Sequence, residues 1–342
     1  MAKTILSRQI NGILLMNILI TGICGFIGSH LARRLVKKSW TVYGVDNLSY
    51  GFIENIKDLT AKNNFHFFEI DVTDPSIIKK FENENLDFVV HFACTKSPRY
   101  GKRMEALETN SLGTQNLLEI VRLSQARFIY GSTGEIYGKN PEIPFTEEAT
   151  FQLGKPEIRR WSGVVSQMYS EHLCFAYHEK YKIDFSIVRF FNIYGPGQSM
   201  DWRGGPQAIF IKAALANEPM EIHGDGVQSR DLTFIDDAID GVLLALENPY
   251  ASGQVVNIGS EKKISIVNLA YMVWRLMENP EKPKLKFLAY NDFPHLYEDI
   301  RHRNCDTTKA HCLLGFKAET SLEEGMKKTI EWYRLRSRSK NS

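Results

Sequence analysis

Between Met16 and Leu31 the chain reads MNILITGICGFIGSHL, a stretch that permits few folds. Ile18-Leu19-Ile20 is an apolar run of the length of a buried parallel strand. Thr21-Gly22 breaks it, and glycines recur at Gly22, Gly25 and Gly28. From Phe26 the apolar spacing becomes helical, with Ile27, Leu31 and Leu35 on one side. A strand, a glycine turn and a helix in this order aim a helix N-terminus at a phosphate. The first glycine permits the turn, the second lets backbone approach a pyrophosphate, and the third lets helix pack on strand. Three glycines alone would fit any tight strand-to-helix turn. A second strand, Thr41 to Val45, ends on Asp46, near the ~20-residue offset at which an acid meets the adenosine ribose. Asn47 follows, not an arginine that could pair with a 2′-phosphate, so the pattern predicts NAD rather than NADP.

The chain has 342 residues, 43% apolar and 24% charged, which allows two domains or one large domain with a smaller one attached. A net charge of +2, spread without a basic block, argues against nucleic acid or an anionic membrane as partner. Five cysteines (Cys24, Cys94, Cys174, Cys305, Cys312) without a Cys-x-x-Cys pair predict a reduced, cytoplasmic compartment and no metal centre. The basic and apolar start, MAKTILSRQINGILL, runs straight into the first strand with no small-residue cleavage site, so it does not read as a signal peptide. Met16 stands where such a chain would begin, and residues 1–15 read as a poorly ordered extension.

Further strands are expected at Phe65–Ile70, Leu86–Ala93, Arg127–Tyr130 and Phe185–Phe190. Asp71-Val72 closes the first of these; Asp71 either faces an adenine or caps a helix ahead of Pro75. A helix over Thr109–Leu123 would turn Leu112, Leu117, Leu118 and Val121 inward, and a longer one is expected over Ser162–Tyr181. Strand and helix alternating at this pitch mean α/β architecture with a doubly wound parallel sheet and ligands at the strand C-termini. Beyond Phe191 the pattern shifts to short strands (220–223, 255–258) between helices at 206–217, 236–247, 265–278 and 321–336, read as a smaller C-terminal α/β lobe. The expected division is an extension (1–15), a dinucleotide-binding domain (16–190), a substrate lobe (191–337) with some segments returning to the sheet, and a tail (338–342).

The motifs TGICGFIG, HFAC, NSLGT, GSTGEIYG, RFFNIYGPGQ, GDGVQSRDLTFIDD and DIRHRNCDTTKAHCLLGF together resemble the extended short-chain dehydrogenase/reductases, which act on nucleotide sugars as epimerases, dehydratases and decarboxylases. HFACTKSPRY and STGEIYG look most like the UDP-glucuronate decarboxylases and dTDP-glucose 4,6-dehydratases. The resemblance implies a Rossmann-type sheet and NAD as cofactor, held by Gly22, Gly25, Phe26, Ile27, Asp46, Asn47, Asp71, Val72, Phe92, Ala93, Cys94, Asn110 and Gln167. It implies a nucleotide-diphosphate sugar as partner, held by Asn192, Arg230 and Arg301, with Thr133 and Glu135 catalytic. For Arg230 the rival reading is a surface ion pair with Asp231; His91 reads as packing at its strand rather than as a base, and the rival reading of Cys94, at the strand end where the cofactor should run, is a small core thiol. The resemblance also implies a homodimer through the two long helices, the second offering Met168, Leu173, Cys174, Phe175 and Tyr177.

The family's hydride abstraction at sugar C4 uses a tyrosine as base and a lysine four residues on, one turn along the same helix face. Aligning Glu171 with the family's closing glutamate puts Gly163 and Gln167 at those positions, and none of the fourteen tyrosines has a lysine at i+4. The dehydratases' aspartate is replaced by Gly134. Two functions therefore compete: an NAD-dependent nucleotide-sugar enzyme with an atypical site, or an impaired binder of NAD and nucleotide sugar acting as sensor or partner subunit.

Overall fold

The structure is a computed structural model that describes residues 8–10, 13–95, 102–201, 204–279, 281–293 and 296–340. The expected extension contributes a small antiparallel hairpin, β1 (Arg8–Ile10) and β2 (Ile13–Leu15), in the register Arg8↔Leu15 and Ile10↔Ile13. Residues 1–7 and 11–12 of that extension, and 96–100 of the HFACTKSPRY segment, lie outside the described residues.

The main sheet begins with β3 (Asn17–Thr21), β4 (Thr41–Asp46), β5 (Phe65–Glu69), β6 (Phe88–His91), β7 (Arg127–Thr133) and β8 (Phe185–Phe190). A seventh strand, β13 (Gln254–Ile258), completes the order β13-β8-β7-β6-β3-β4-β5. Sequence periodicity had grouped that last segment with the C-terminal lobe. Its Val256, Asn257 and Ile258 are fully buried, as an apolar strand covered on both faces should be. β3 pairs in parallel with β4 on one side and β6 on the other, so the strand order reverses there. The helices between are α1 (Phe26–Lys37), α2 (Ser76–Phe81), α3 (Arg103–Ser124) and α4 (Arg160–Tyr181). α1 buries Gly28, Leu31, Ala32 and Leu35, one stripe at helical spacing. Leu19, Val45, Val89, Leu117, Leu118, Phe128, Cys174, Phe185 and Ile187 form one core, each large side chain worth roughly 1.5–3 kcal/mol. Leu112 is not among them. It stands 47% exposed, because five residues before Leu117 it lies about 140° round the helix from it.

Contacts divide the chain into two units. The first comprises Met1–Thr133, Ser162–Arg189 and Val242–Val256; the second comprises Gly134–Trp161, Phe190–Gly241 and Asn257–Ser342. In the second, β9 (Ile193–Tyr194) pairs with β12 (Thr233–Phe234), and β10 (Met220–His223) with β15 (Leu285–Leu288). There β11 (Ser229–Asp231) runs between β14 (Lys263–Ser265) and β16 (His302–Arg303). The helices α5 (Pro206–Leu215), α7 (Ile266–Leu276) and α9 (Leu322–Lys340) pack on one another, while α6 (Ile235–Glu247) passes between units and α8 (Thr308–Leu314) is short. Ser265 caps α7 by accepting from Asn268 N, and Ile266, Leu269, Ala270, Val273 and Trp274 form its buried stripe. Among the described residues no helix is long and apolar enough to cross a membrane.

Candidate active site

In the first unit the glycine turn is a cradle that side chains would fill. Gly22 has φ +69°, and a Cβ there would meet Ala93 N at 2.8 Å. A Cβ on Gly28 would sit 2.2 Å from Gly22 O, so the third glycine is what lets α1 close on β3. Gly25 occupies the N-cap of α1 with no side-chain cap, and no acid stands in the first turn. The helix N-terminus is left to an anion. Phe26 and Ile27, in that turn, are partly exposed.

Asp46, at the end of β4, is 7% exposed, and its carboxylate accepts from Cys24 N at 3.0 Å and Leu48 N at 2.9 Å. Burial raises its pKa, against the lowering effect of these two amides. Asn47 Nδ2 donates to Asp71 Oδ2 at 2.7 Å, and Asp71 also accepts from Thr73 N and Oγ1. Burial pushes the Asp71 carboxyl up, but these hydrogen bonds outweigh it and leave the pKa lowered. Asp71 is thus not the cap of α2, whose N-cap is Pro75. Val72 is buried, and its carbonyl accepts from Asn116 Nδ2 at 2.9 Å. Phe92, Ala93 and the half-buried Cys94 follow β6 beside the glycine turn. Beyond them, Asn110 Oδ1 accepts from Thr95 N and its Nδ2 donates to Ser166 Oγ, both at 2.9 Å. Gln167 is 7% exposed, and its Oε1 is buried without a hydrogen-bond partner. The fit to a dinucleotide is direct: a cradle closed to side chains, an open helix N-terminus, an acid at the ribose offset and an orphaned acceptor.

β7 ends at Thr133, whose neighbour Ser132 donates to Glu171 Oε1 at 2.5 Å. Arg189 grips that carboxylate with two nitrogens, at 3.0 and 2.7 Å.

In the second unit Glu135 pairs with Arg303 Nη1 and with Arg160 Nη2 at 3.5 Å. Arg160 Nη1 reaches Asp299 at 3.3 Å and the Tyr297 hydroxyl at 3.2 Å, and Arg230 Nη2 reaches Asp299 at 2.9 Å. Burial works against the charge on Arg160, but Tyr297, Glu135 and Asp299 outweigh it and push its pKa up. Arg230 moves down, burial being the larger effect, with Asp299 opposing. Asn192 accepts from Arg303 Nη2 at 2.6 Å and donates to Asp231 O at 2.7 Å. Arg160 Nε and Arg303 Nε are buried donors with no partner. The alternative of an Arg230–Asp231 surface pair is not what forms: Arg230 is 8% exposed and pairs with Asp299.

Arg301 pairs with Asp225 at 2.8 Å, with both side chains about half exposed, whereas Arg303, two residues on, joins Glu135. The reason is register: in the parallel pairing of β11 with β16, Arg230 faces Arg303, while Arg301 precedes the strand. Arg160 and Asp299, which join the same ion-pair cluster, were not singled out in the sequence. The signal available was the double arginine before Trp161 and the acid before the basic IRHR segment. No group of acids, histidines or cysteines that could hold a metal occurs among the described residues, and the five cysteines are free thiols.

A doubly wound parallel sheet with this cradle defines a dinucleotide-binding protein. The model of the NAD dependent epimerase/dehydratase family matches residues 18–259. UDP-N-acetyl-alpha-D-glucosaminuronate decarboxylase of Bacillus cytotoxicus is 34% identical over 319 residues, 92% of this chain and 97% of that one. UDP-glucuronate 4-epimerase of Thermodesulfobacterium geofontis is 32% identical over 327 residues, 92% of this chain and 95% of that one. The crystal structure of UDP-glucuronic acid 4-epimerase from Bacillus cereus, in complex with UDP-glucuronic acid and NAD, superposes with a TM-score of 0.83 at 30% identity. That match covers 94% of this chain and all of the other. The chain belongs to the NAD dependent epimerase/dehydratase family, and NAD is its cofactor.

Proposed function

We propose that this enzyme modifies a nucleotide-diphosphate sugar bearing a carboxylate, by epimerisation or decarboxylation, with Glu135 receiving the sugar hydroxyl proton in place of the missing tyrosine. The observation that carries this reading is the guanidinium cluster: Arg160, Arg230 and Arg303 against Glu135 and Asp299, three cations to two anions, with two buried Nε–H donors unpaired. Arginine forks suit carboxylate and phosphate oxygens, and both occur in a nucleotide uronate. The decarboxylase and epimerase relatives are named for such acids. The pairs with Arg303 and Arg160 fix the position of the Glu135 carboxyl group. NAD, when bound, supplies the hydride acceptor. Dehydration is disfavoured by packing. A Cβ on Gly134 would lie 2.5 Å from the buried Phe191 ring, so the space an acid would need at this position is taken.

Glu135→Gln should remove sugar-dependent NADH formation while leaving NAD affinity within about twofold, because a positioned general base contributes ~10²–10⁴-fold. The measurement is single-turnover absorbance with UDP-, dTDP-, GDP- and CDP-sugars, uronates included. Gly163 is what favours the sensor reading, since it offers no side chain at the usual base position. Tight binding of one sugar with no reduction by the wild type would establish that reading instead. We further propose a homodimer through α3 and α4, which run side by side: Thr114 Oγ1 lies 3.1 Å from Ser170 Oγ, and Tyr177 donates to Glu119 at 2.6 Å.

A further inference from the structure

Asp299 stands inside the guanidinium cluster. Its Oδ1 accepts from Arg230 Nη2 at 2.9 Å, Arg160 Nη1 at 3.3 Å, the Tyr297 hydroxyl at 3.3 Å and Ile300 N at 3.0 Å. Its Oδ2 accepts from the Tyr290 hydroxyl at 2.9 Å. One carboxylate oxygen thus carries two guanidiniums, as a phosphate oxygen does in an arginine site. The arginines are anchored without it. Arg230 Nη1 donates to Ser229 O at 2.8 Å and to Ile300 O at 2.9 Å, and Arg160 Nη1 donates to Glu298 O at 2.8 Å. The Arg160 guanidinium also lies 5.4 Å from the Trp161 ring centroid and 5.6 Å from that of Tyr297. Asp299 is therefore not needed to aim these side chains; it neutralises them. Residues 296–300 belong to no helix or strand, so turning the carboxylate away breaks no ladder.

We propose that Asp299 is an internal stand-in for the phosphate oxygens of the substrate, a charge gate that an anionic ligand must displace and an uncharged one need not. The inference rests on the reading that this cluster receives the anionic groups of a nucleotide-diphosphate sugar. A buried guanidinium left without a counterion is strongly destabilising. Asp299 supplies that counterion until a diphosphate, with two charges against one, takes its place. The apparent affinity for the anion is then lowered by the fraction of molecules in which the gate is shut, and removing the gate restores it.

Calorimetric titration of the whole chain with UDP and with uridine tests this. Asp299→Asn keeps the shape of the side chain and removes its charge. It should tighten UDP about tenfold and leave uridine within about twofold. Because its arginines lack a counterion, this variant should melt below the wild type, and saturating UDP should raise its melting temperature by more. Tyr290→Phe removes one hydrogen bond that holds the carboxylate in place and keeps every charge of the cluster. It should tighten UDP about threefold, and it reads the same effect if the asparagine variant does not fold. UDP bound no more tightly by either variant, or uridine tightened as much as UDP, overturns the gate and leaves the nucleotide-sugar reading standing. Failure of the wild type and both variants to bind UDP, dTDP, GDP or CDP overturns both.

Discussion

At residue scale, two side chains carry predictions with a defined sign. The Asp46 carboxylate accepts from Cys24 N and Leu48 N, which fix its orientation at the end of β4. Asp46→Ala should weaken NAD binding by roughly tenfold, the loss of one charged hydrogen bond, and narrow the preference over NADP, read from paired dissociation constants. Tighter binding of NADP than NAD by the wild type would contradict this reading of β4. His91 gives a pH dependence. Its folded-state pKa, lowered by burial to about 3, lies below the ordinary value of 6.5. Between those values the unfolded chain binds a proton that the folded chain does not. Stability should therefore fall as pH drops from about 6.5, by at most about 1.4 kcal/mol per unit. His91→Asn should flatten that slope in urea midpoints taken between about pH 4.5 and 6.5. The end of β4 at Asp46 was legible in the sequence because the glycine turn fixes the distance to the next strand end. The pairing of Arg303 with Glu135 was not, because it requires knowing that β16 lies beside β11.

At the scale of elements, α4 does most of the organising in the first unit. Its Glu171 ties the helix to Arg189 on β8 and Ser132 on β7, and all three side chains are buried. Glu171→Gln should destabilise the protein by about 3–5 kcal/mol, since it removes the carboxylate that pairs with the buried Arg189 guanidinium. Glu171→Gln with Arg189→Met should recover much of that in urea unfolding. The helix itself was legible from its length and apolar content. Which of its faces pack was not. Cys174 is in the core and Leu173 and Tyr177 lean on it, while Val165, Tyr169 and Phe175 are exposed. The helical period identifies a stripe, but two such faces on one helix need the neighbouring helix to tell them apart.

At the scale of the whole molecule, the exposed residues Leu112, Val165 and Tyr169 on the adjacent helices α3 and α4 supply apolar area for a self-complementary contact. Tyr169→Glu with Val165→Glu should convert a dimer to a monomer by light scattering while leaving the melting temperature within a few degrees. A monomeric wild type at micromolar concentration would remove the homodimer. The alternation of strand and helix was readable from sequence because each βα step is local, whereas the return of β13 to the sheet joins residues far apart in the chain. That return belongs to a wider pattern. The chain passes between the two units at 133/134, 161/162, 189/190, 241/242 and 256/257. Neither unit corresponds to a continuous stretch of coding sequence, so no single recombination event can graft one onto a different partner. A change of specificity in a chain wound this way is open to substitution in place, within the frame that also holds the cofactor.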